Sequence, residues 1–328
     1  MTLHPGPIDI HAHWLPRELF GLAPGTPLPP LRDDRGQLHL GELPLSIDTD
    51  AMSDVARILA DTDTAGLGAR VLSAPPFAFP VSDSDGVDEF VGTFNDMLAK
   101  ICRDSGGRLG GLALVALHDP GAARKQMDAI ADSDTIRGIA VPPLLDGASF
   151  DTEPMRAILG IAAERGLAVL VHPMQLPRPE WGSHYLANLI GNPVETTTAA
   201  AALVLGGVLE DLPGLRICLV HGGGCAPALL GRWEHGWRGR ADVRGTGTRP
   251  PRELFSQLWF DTLTHDVATL QLLAAQADTT RLMCGSDYPF DMGTHDPLGL
   301  PHAAGIGDAA LQTNARAFLG LDTGEGHE

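Results

Sequence analysis

The sequence predicts a (β/α)8 barrel, or TIM barrel, in the α/β fold class. Eight short apolar runs rich in β-branched residues recur along the 328 residues, and amphipathic stretches separate most of them. Apolar runs bounded by turn residues are typical of buried parallel strands, and their alternation with helices is typical of βαβ units. Polar side chains also stand at the ends of several runs, where a barrel places its functional residues.

The predicted elements follow one another in a regular order. The strands are Pro7–His13, Ala69–Ala74, Leu112–Leu117, Ile136–Val141, Leu167–His172, Arg216–His221, Leu258–Leu263 and Arg281–Asp287. The helices are Asp54–Ala65, Phe90–Arg103, Ala122–Ala131, Pro154–Arg165, Thr196–Leu209, Ala226–Trp237 and Val267–Ala277. Because a barrel of this length commonly forms one unit, residues 1–328 are predicted to be a single domain.

Residues 16–50 are rich in Pro and Gly and too long for an ordinary βα loop, so we predict an insertion that covers the barrel mouth. The alternative fold is a doubly wound sheet, which carries a glycine-rich phosphate turn after an early strand. The first strand here runs instead into His-Ala-His-Trp-Leu-Pro, which favours the barrel. The tail Asp322–Glu328 reads as a frayed end.

Composition excludes several classes of function. The formal net charge is −18 and the pI is about 5.0, which opposes binding to nucleic acid or an anionic membrane. The N-terminus lacks a signal-peptide pattern and no apolar run approaches a membrane span, so a cytoplasmic location is expected. The four cysteines show no paired spacing, which argues against disulfides and cysteine metal sites.

Five titratable side chains are predicted to meet at one end of the barrel. His11 and His13 end the first strand, and alternate residues of a strand point to the same face. His172, His221 and Asp287 end the fifth, sixth and eighth strands. Since the carboxyl ends of all barrel strands form one mouth, these side chains are expected within one small volume.

A single histidine at a strand end is more often a satisfied polar residue than a ligand, and the HxH pattern alone is weak. The joint pattern is different, because a buried cluster of imidazoles and a carboxylate is costly without a cation. Three His nitrogens and one Asp oxygen suit Zn²⁺ or another borderline divalent ion, with one position left for water. The residues alone leave two roles open for His221, a further ligand or a general base, and the few protein ligands of catalytic zinc sites favour the base. Asp287 is a second candidate for the base.

Several ordered motifs resemble the amidohydrolase superfamily, and most closely the branch that contains α-amino-β-carboxymuconate-ε-semialdehyde decarboxylase. The matching segments span most of the chain: Ile8–Pro16, Val171–Pro173, Gly191–Thr197, Val220–Gly224, Gly231–Gly236, Gly285–Phe290 and Asn314–Leu321.

The resemblance implies a set of roles. Zinc would be bound by His11, His13, His172 and Asp287. His221 would be the catalytic acid or base, and Arg232 would bind a substrate carboxylate across the interface of a homodimer, acting in trans. Bridging two metals in related barrels often needs a carbamylated lysine, whereas Lys100 and Lys125, the only lysines, both lie in helical stretches. One divalent metal and no organic cofactor are therefore expected.

The chain also departs from the pattern of that branch. A second carboxylate-binding arginine comes from the insertion in that family, and the matching stretch Gly36–Glu42 has none. A family tryptophan after the fifth strand is Asn188 here, which predicts a reshaped pocket. Arg178 is a candidate second anion contact, with solvent exposure as the simpler account. Further substrate-contact candidates, for some of which ordinary packing is an equal explanation, are Trp14, His184 and Phe290.

The sequence leaves three kinds of function open. The favoured hypothesis is non-oxidative decarboxylation of an unsaturated or aromatic carboxylic acid, a small-molecule substrate, because the resemblance indicates it. The alternative is hydrolysis of an amide, lactone or related bond by a metal hydroxide, which the same ligands would support. The third is a noncatalytic protein with a structural metal, which the extra His221 argues against.

Overall fold

Eight parallel strands form a closed barrel in the computed structural model, which describes residues 2–176 and 178–321. Strands are paired in chain order around the barrel, and the amide of Ile10 donates to the carbonyl oxygen of Cys284 at 3.0 Å, which joins the last strand to the first. The predicted TIM-barrel class is therefore confirmed. The predicted frayed end, residues 322–328, lies outside the described residues.

The strands fall into two groups. The barrel consists of β1 (Ile8–His13), β5 (Ala69–Ser73), β6 (Leu109–Ala113), β7 (Ile136–Val141), β8 (Ala168–Val171), β9 (Arg216–Leu219), β10 (Trp259–Asp261) and β11 (Leu282–Met283). A separate antiparallel sheet within residues 16–50 consists of β2 (Leu31–Asp34), β3 (Gln37–Leu40) and β4 (Leu43–Asp48). Nearly every side chain of the barrel strands is buried, as expected for strands covered on both faces.

Helices connect the barrel strands and cover them. In chain order they are α1 (Thr49–Ser53), α2 (Val55–Thr64), α3 (Val87–Asp104), α4 (Pro120–Ala131), α5 (Met155–Glu164), α6 (Asn192–Leu205), α7 (Val208–Asp211), α8 (Ala226–Gly239), α9 (Ala241–Arg244), α10 (Pro251–Phe255), α11 (Val267–Gln276), α12 (Gly299–Ala303) and α13 (Asp308–Phe318). None of the helices in the described part of the chain is both long and apolar enough to cross a bilayer.

Two predicted strands differ most from the structure, and the others differ by at most two residues at either end. The third barrel strand is Leu109–Ala113, not Leu112–Leu117, because Gly110 and Gly111 belong to the strand although glycines usually indicate a turn. A Cβ added at Gly111 would lie 2.9 Å from the side chain of Leu98 on α3, so the close packing of helix on strand requires a glycine.

The last strand, predicted to extend to Asp287, ends at Met283 with an isolated bridge at Cys284. Beyond it the amides of Ser286 and Asp287 both turn towards the carbonyl oxygen of His11, at 3.3 and 2.8 Å. Asp287 adopts a left-handed backbone with φ of 57°, which no strand tolerates. The sharp turn aims its carboxylate across the barrel mouth.

The predicted helix Thr196–Leu209 is two helices, α6 and α7, separated by Gly206 and Gly207. Gly207 has φ of 77°, a conformation that ends a helix and is readily adopted by glycine. Other helix ends differ by a few residues from the prediction. At the start of α11, Asp266 is the N-cap, since its side chain accepts a hydrogen bond from the amide of Thr269.

Candidate metal centre

Three histidines present the same ring nitrogen to one point at the barrel mouth. His11 and His13 lie two residues apart on β1, and His172 follows β8 directly. In each ring Nδ1 donates to a group outside the cluster. Nδ1 of His11 donates to Asp261 Oδ2 at 2.7 Å, and Nδ1 of His13 donates to the carbonyl oxygen of Ala74 at 3.2 Å. Nδ1 of His172 donates to the carbonyl oxygen of Pro173 at 2.7 Å. With Nδ1 protonated, each Nε2 has a free lone pair.

Asp287 completes the cluster. Its Oδ1 lies 3.2, 3.1 and 3.5 Å from the Nε2 atoms of His11, His13 and His172, and the four ligand atoms lie within 4.8 Å of one another. The Nε2 atoms of His11 and His172 are buried and have no hydrogen-bond partner among the described residues. Buried nitrogens without partners, facing a carboxylate, are the arrangement that a divalent cation satisfies.

Electrostatics also show that the cluster needs positive charge. Burial opposes ionisation of Asp287, but the histidines outweigh it and hold the pKa of Asp287 well below its usual value. Burial likewise opposes a charge on His11, but Asp287 and Asp261 raise the pKa of His11 to about 10. For His172 burial prevails and lowers the pKa to about 3. Without a cation, the proton on His11 supplies the positive charge beside the ionised Asp287, and a bound divalent ion would take the place of that proton.

His221 stands beside the cluster but differs from it. Its Nε2 is 3.4 Å from Asp287 Oδ2, and its side chain is 16% exposed, whereas those of His11, His13 and His172 are at most 4% exposed. The structure thus brings together all five predicted side chains. Four of them form the metal-ligating group, and the fifth faces solvent next to it.

Glycines shape the turn that carries His221. β9 ends at Leu219, and His221 itself has φ of 54°. Gly222 and Gly224 follow with φ of 61° and 63°, and a Cβ at these positions would lie 2.5 Å from Thr264 Cγ2 and 2.4 Å from Pro193 O. The run of glycines therefore lets the chain turn tightly between β10 and α6, and it holds the imidazole at the mouth.

Comparison with known proteins agrees with this arrangement. The model of the amidohydrolase family matches residues 8–321. The chain belongs to the amidohydrolase family. The resemblance noted from the motifs is thereby confirmed.

The sequence is 27% identical over 332 residues to 2-amino-3-carboxymuconate-6-semialdehyde decarboxylase of Dictyostelium discoideum, covering 96% of this chain and 92% of the relative. Among solved structures, the fold is similar to the apo form of Metarhizium anisopliae IDCase, with a TM-score of 0.83, 23% identity and 97% of both chains covered. It is also similar to a dihydroxybenzoic acid decarboxylase from Polaromonas sp. with bound manganese and the inhibitor 2-nitroresorcinol, with a TM-score of 0.75, 20% identity, and 99% of both chains covered. The two structural likenesses concern the fold.

Two cavities open at the barrel mouth of this amidohydrolase. The first, here called the His221 cavity, has a volume of about 240 Å³, and its walls include His221, Asp287, Asn188, Asn192 and Thr264. It therefore reaches both the metal cluster and the adjacent imidazole, as a substrate site would.

The second, here called the insertion cavity, has a volume of about 450 Å³. It lies between β3 and β4 of residues 16–50 and the loops that carry Phe77, Tyr185 and Phe290. Phe290 also packs edge-on against His13, with ring centroids 5.1 Å apart. The insertion therefore lies beside the cluster, with Phe290 between them.

The predicted substrate contacts fare differently. Phe290 lines the insertion cavity. Trp14 is 2% exposed, packs on Phe94 and donates to the carbonyl oxygen of Ser53. The structure therefore places Trp14 in the core and corrects its assignment as a substrate contact. His184 is exposed in the loop after β8 and is not among the residues that line either cavity.

The two arginines also lie away from the cavities. Arg178 is exposed, and its guanidinium lies 5.1 Å from the ring centroid of Trp181. Arg232 is exposed on α8 and has no hydrogen bond or ion pair with any residue that the structure describes. Neither arginine is among the residues that line the two cavities.

Two further residues support the cluster and were missed in the sequence. Buried Asp261, at the end of β10, accepts from His11 Nδ1 and from the amide of Gly222 at 2.8 Å, and so connects a ligand to the His221 turn. Glu195 on α6 accepts from the amides of Met174 and Leu176 at 2.8 and 2.6 Å and holds the loop after β8. An acidic residue within an apolar strand, Phe-Asp-Thr, was the available signal for Asp261.

Proposed function

We propose that this amidohydrolase is a zinc-dependent, non-oxidative decarboxylase of an unsaturated or aromatic carboxylic acid. The observation that carries the proposal is the position of His221: it is partly exposed, faces a cavity, and adjoins a buried four-ligand cluster. The curated relative that matches almost the whole chain is a decarboxylase, which supports the same reaction class.

The ligand set fits a metal, since His11, His13, His172 and Asp287 offer three nitrogens and one oxygen with second partners already in place. A divalent ion bound there would orient the substrate carboxylate and neutralise its charge beside Asp287. We assign zinc because three imidazoles and one carboxylate suit it, although the fold neighbour from Polaromonas holds manganese.

His221 is proposed to move the proton. In the overall reaction a proton adds to the carbon that bears the carboxylate, the bond between that carbon and the carboxyl carbon breaks, its electron pair stays with the substrate, and CO₂ leaves. The imidazole faces the cavity and can hold the proton at Nε2, which is 3.4 Å from Asp287 Oδ2. Asp287 thereby orients His221 and is the second candidate for proton transfer.

The chain supplies no cation to the cavity walls among its described residues: neither the His221 cavity nor the insertion cavity is lined by arginine or lysine. We therefore propose that the protein is a homodimer in which Arg232 of one protomer reaches the cavity of the other and binds a carboxylate. Arg232 is exposed and has no hydrogen bond or ion pair with the described residues of its own chain, so its guanidinium is available to bind a carboxylate.

The test is product analysis with purified protein loaded with Zn²⁺ or Mn²⁺. Hydroxybenzoates, muconate-like acids and heteroaromatic acids are incubated in D₂O, and CO₂ and deuterium at carbon are measured. Release of CO₂ with one deuterium incorporated supports the proposal. Incorporation of ¹⁸O from solvent into the product of an amide or lactone, with no CO₂ from any acid, would assign the hydrolase alternative.

A further inference from the structure

A buried carboxylate outside the metal cluster holds the backbone of two segments that carry metal ligands. Asp9 is on β1, is fully buried and is not one of the four ligand residues. Its Oδ1 accepts from the amides of His11 and Ser286, both at 3.1 Å, and its Oδ2 accepts from the Ser286 hydroxyl at 2.5 Å. One side chain therefore joins β1, which carries His11, to the turn that carries Asp287.

The turn at Asp287 needs such support. Asp287 has φ of 57°, and a residue with a side chain persists in this conformation where its surroundings hold it. The amide of Ser286 donates to Asp9, and the amide of Asp287 donates to the carbonyl oxygen of His11 at 2.8 Å. The amide of Tyr288 donates to the Ser286 hydroxyl oxygen at 3.1 Å. Because that hydroxyl donates in turn to Asp9, all three successive amides depend on β1.

Arg70 balances the charge of Asp9 and contacts the far side of the same turn. Its Nε lies 3.2 Å from Asp9 Oδ2, and neither side chain is more than 2% exposed. Its guanidinium also lies over the ring of Tyr288, 4.1 Å from the ring centroid. The buried pair therefore contacts the residue before Asp287 through Asp9 and the residue after it through Arg70.

We infer that Asp9 and Ser286 are positioning residues of the metal centre, which act through the backbone of His11 and Asp287. A purely structural role would change stability alone. A positioning role also changes metal affinity and coordination geometry, because a ligand that is not held in the productive orientation binds more weakly. The inference concerns metal binding and does not depend on the reaction proposed above.

Binding of Co²⁺ to the metal-free protein tests the inference without catalysis. Competition with a chelator measures the affinity, and the visible absorption of bound Co²⁺ reports its coordination geometry. Ser286→Ala removes the hydroxyl that connects Asp9 to the amide of Tyr288. We expect the affinity to fall about 10- to 100-fold and the visible spectrum to change.

The matched control is Ser149→Ala. Ser149 is also buried, and its hydroxyl donates to the carbonyl oxygen of Pro143 at 3.0 Å, so this variant likewise loses a buried hydrogen bond. It should bind Co²⁺ within about twofold of the wild type, with an unchanged spectrum, because neither Ser149 nor Pro143 holds a ligand-bearing segment in place.

A second variant tests whether the two positioning residues act as one unit. Asp9→Asn keeps an oxygen for the backbone amides but presents an NH₂ group to the Ser286 hydroxyl, so the affinity for Co²⁺ should fall here too. The double variant Asp9→Asn/Ser286→Ala should lose much less affinity than the product of the two single losses. Ser286→Ala decides the test alone if Asp9→Asn, which leaves Arg70 unpaired, does not fold.

The inference is overturned if the wild type does not bind Co²⁺, or if Ser286→Ala binds it with unchanged affinity and spectrum. Equal losses in Ser149→Ala and Ser286→Ala also overturn it, and independent losses in the double variant separate Asp9 from Ser286. Failure of the proposed function has a different signature. In that case Ser286→Ala binds Co²⁺ weakly, as expected, but the wild type releases CO₂ from no acid in the panel.

Discussion

Four histidines meet at the barrel mouth, and the partner of each ring decides what it can do. In His11, His13 and His172 the Nδ1 hydrogen is bound to a carboxylate or a carbonyl oxygen, which fixes the tautomer and turns Nε2 towards Asp287. Among the described residues, the His221 ring has one hydrogen-bonding partner, Asp287 at 3.4 Å, and the ring is partly exposed. Under the proposed function, these different partners divide chemically identical side chains into ligands and a proton carrier.

The proposed role of His221 as proton carrier, and not as ligand, predicts the effect of His221→Asn. Asparagine tolerates the left-handed backbone at this position, so the turn should persist while the titrating ring is lost. We expect decarboxylation to fall about 10²- to 10⁴-fold with metal content unchanged, measured by CO₂ release and elemental analysis. The matched control is His184→Asn, which is also at positive φ and lines neither cavity, with an expected change of a few-fold at most. Loss of metal from His221→Asn would instead make this residue a ligand.

Asp261 acts one step further from the metal. Burial opposes its ionisation, but the hydrogen bond from His11 outweighs burial and lowers the pKa of Asp261. Asp261→Asn should therefore weaken metal affinity by about 10- to 100-fold, because the His11 ring loses the carboxylate that orients it. Competition with a chelator measures the affinity, and exposed Asp278→Asn is the control. An unchanged affinity would show that Asp261 only stabilises the turn at Gly222.

At the scale of elements, loops after the strands carry the chemistry, and neighbouring helices hold them. Glu195 of α6 accepts from the amides of Met174 and Leu176 in the loop after β8. The same helix supports the glycine turn through Thr197 Oγ1, which accepts from the amide of Cys225 at 2.8 Å. One helix thus positions the loops of two adjacent strands. It also contributes Asn192 to the cavity.

Glu195→Gln tests this support. Glutamine can accept only one of the two amide hydrogen bonds, which leaves a partly buried N–H unpaired. We expect the free energy of unfolding to decrease by about 1–3 kcal/mol in urea denaturation. Glu89→Gln, on the exposed first turn of α3, should change it by less than about 0.5 kcal/mol. Equal stabilities of the two variants would mean that Glu195 is not needed to hold the loop.

How far each element could be predicted depends on what defines its ends. β1, β7 and β8 were placed almost residue by residue, because continuous β-branched runs bounded by turns identify buried parallel strands. β6 was misplaced because packing of Leu98 against Gly111 is a tertiary contact, invisible in a local pattern. β11 was overextended for a similar reason, since hydrogen bonds to His11 bend the chain before Asp287.

At the scale of the whole molecule, the proposed binding of a substrate carboxylate by Arg232 requires a second protomer. Its cavity walls carry Asp287 but no arginine or lysine among the described residues, while Arg232 lies exposed on α8. In a symmetric dimer each subunit would provide Arg232 to its partner and receive one in return. A complete site would then need two protomers.

Mixing of inactive variants tests this arrangement. If Arg232 acts in trans, random mixing of Arg232→Ala with His221→Ala makes half of the dimers mixed, and each mixed dimer has one intact site of two. About a quarter of wild-type activity should therefore return, measured as CO₂ release after unfolding and co-refolding. Arg238→Ala, six residues further along α8 and also exposed, replaces Arg232→Ala in the control and should be active by itself. No recovery would confine Arg232 to its own chain or remove it from the site.

The sequence alone determined the barrel and the identity of the residues at its mouth, since strand periodicity and the position of polar residues at strand ends are local properties. His11, His13, His172, His221 and Asp287 were all found in this way. Only the tertiary structure decided which nitrogen of each ring is free, that Asp261 orients His11, that Trp14 belongs to the core, and that Asp9 joins His11 to Ser286. These properties depend on groups far apart in the chain, whose contacts exist only after the barrel has closed.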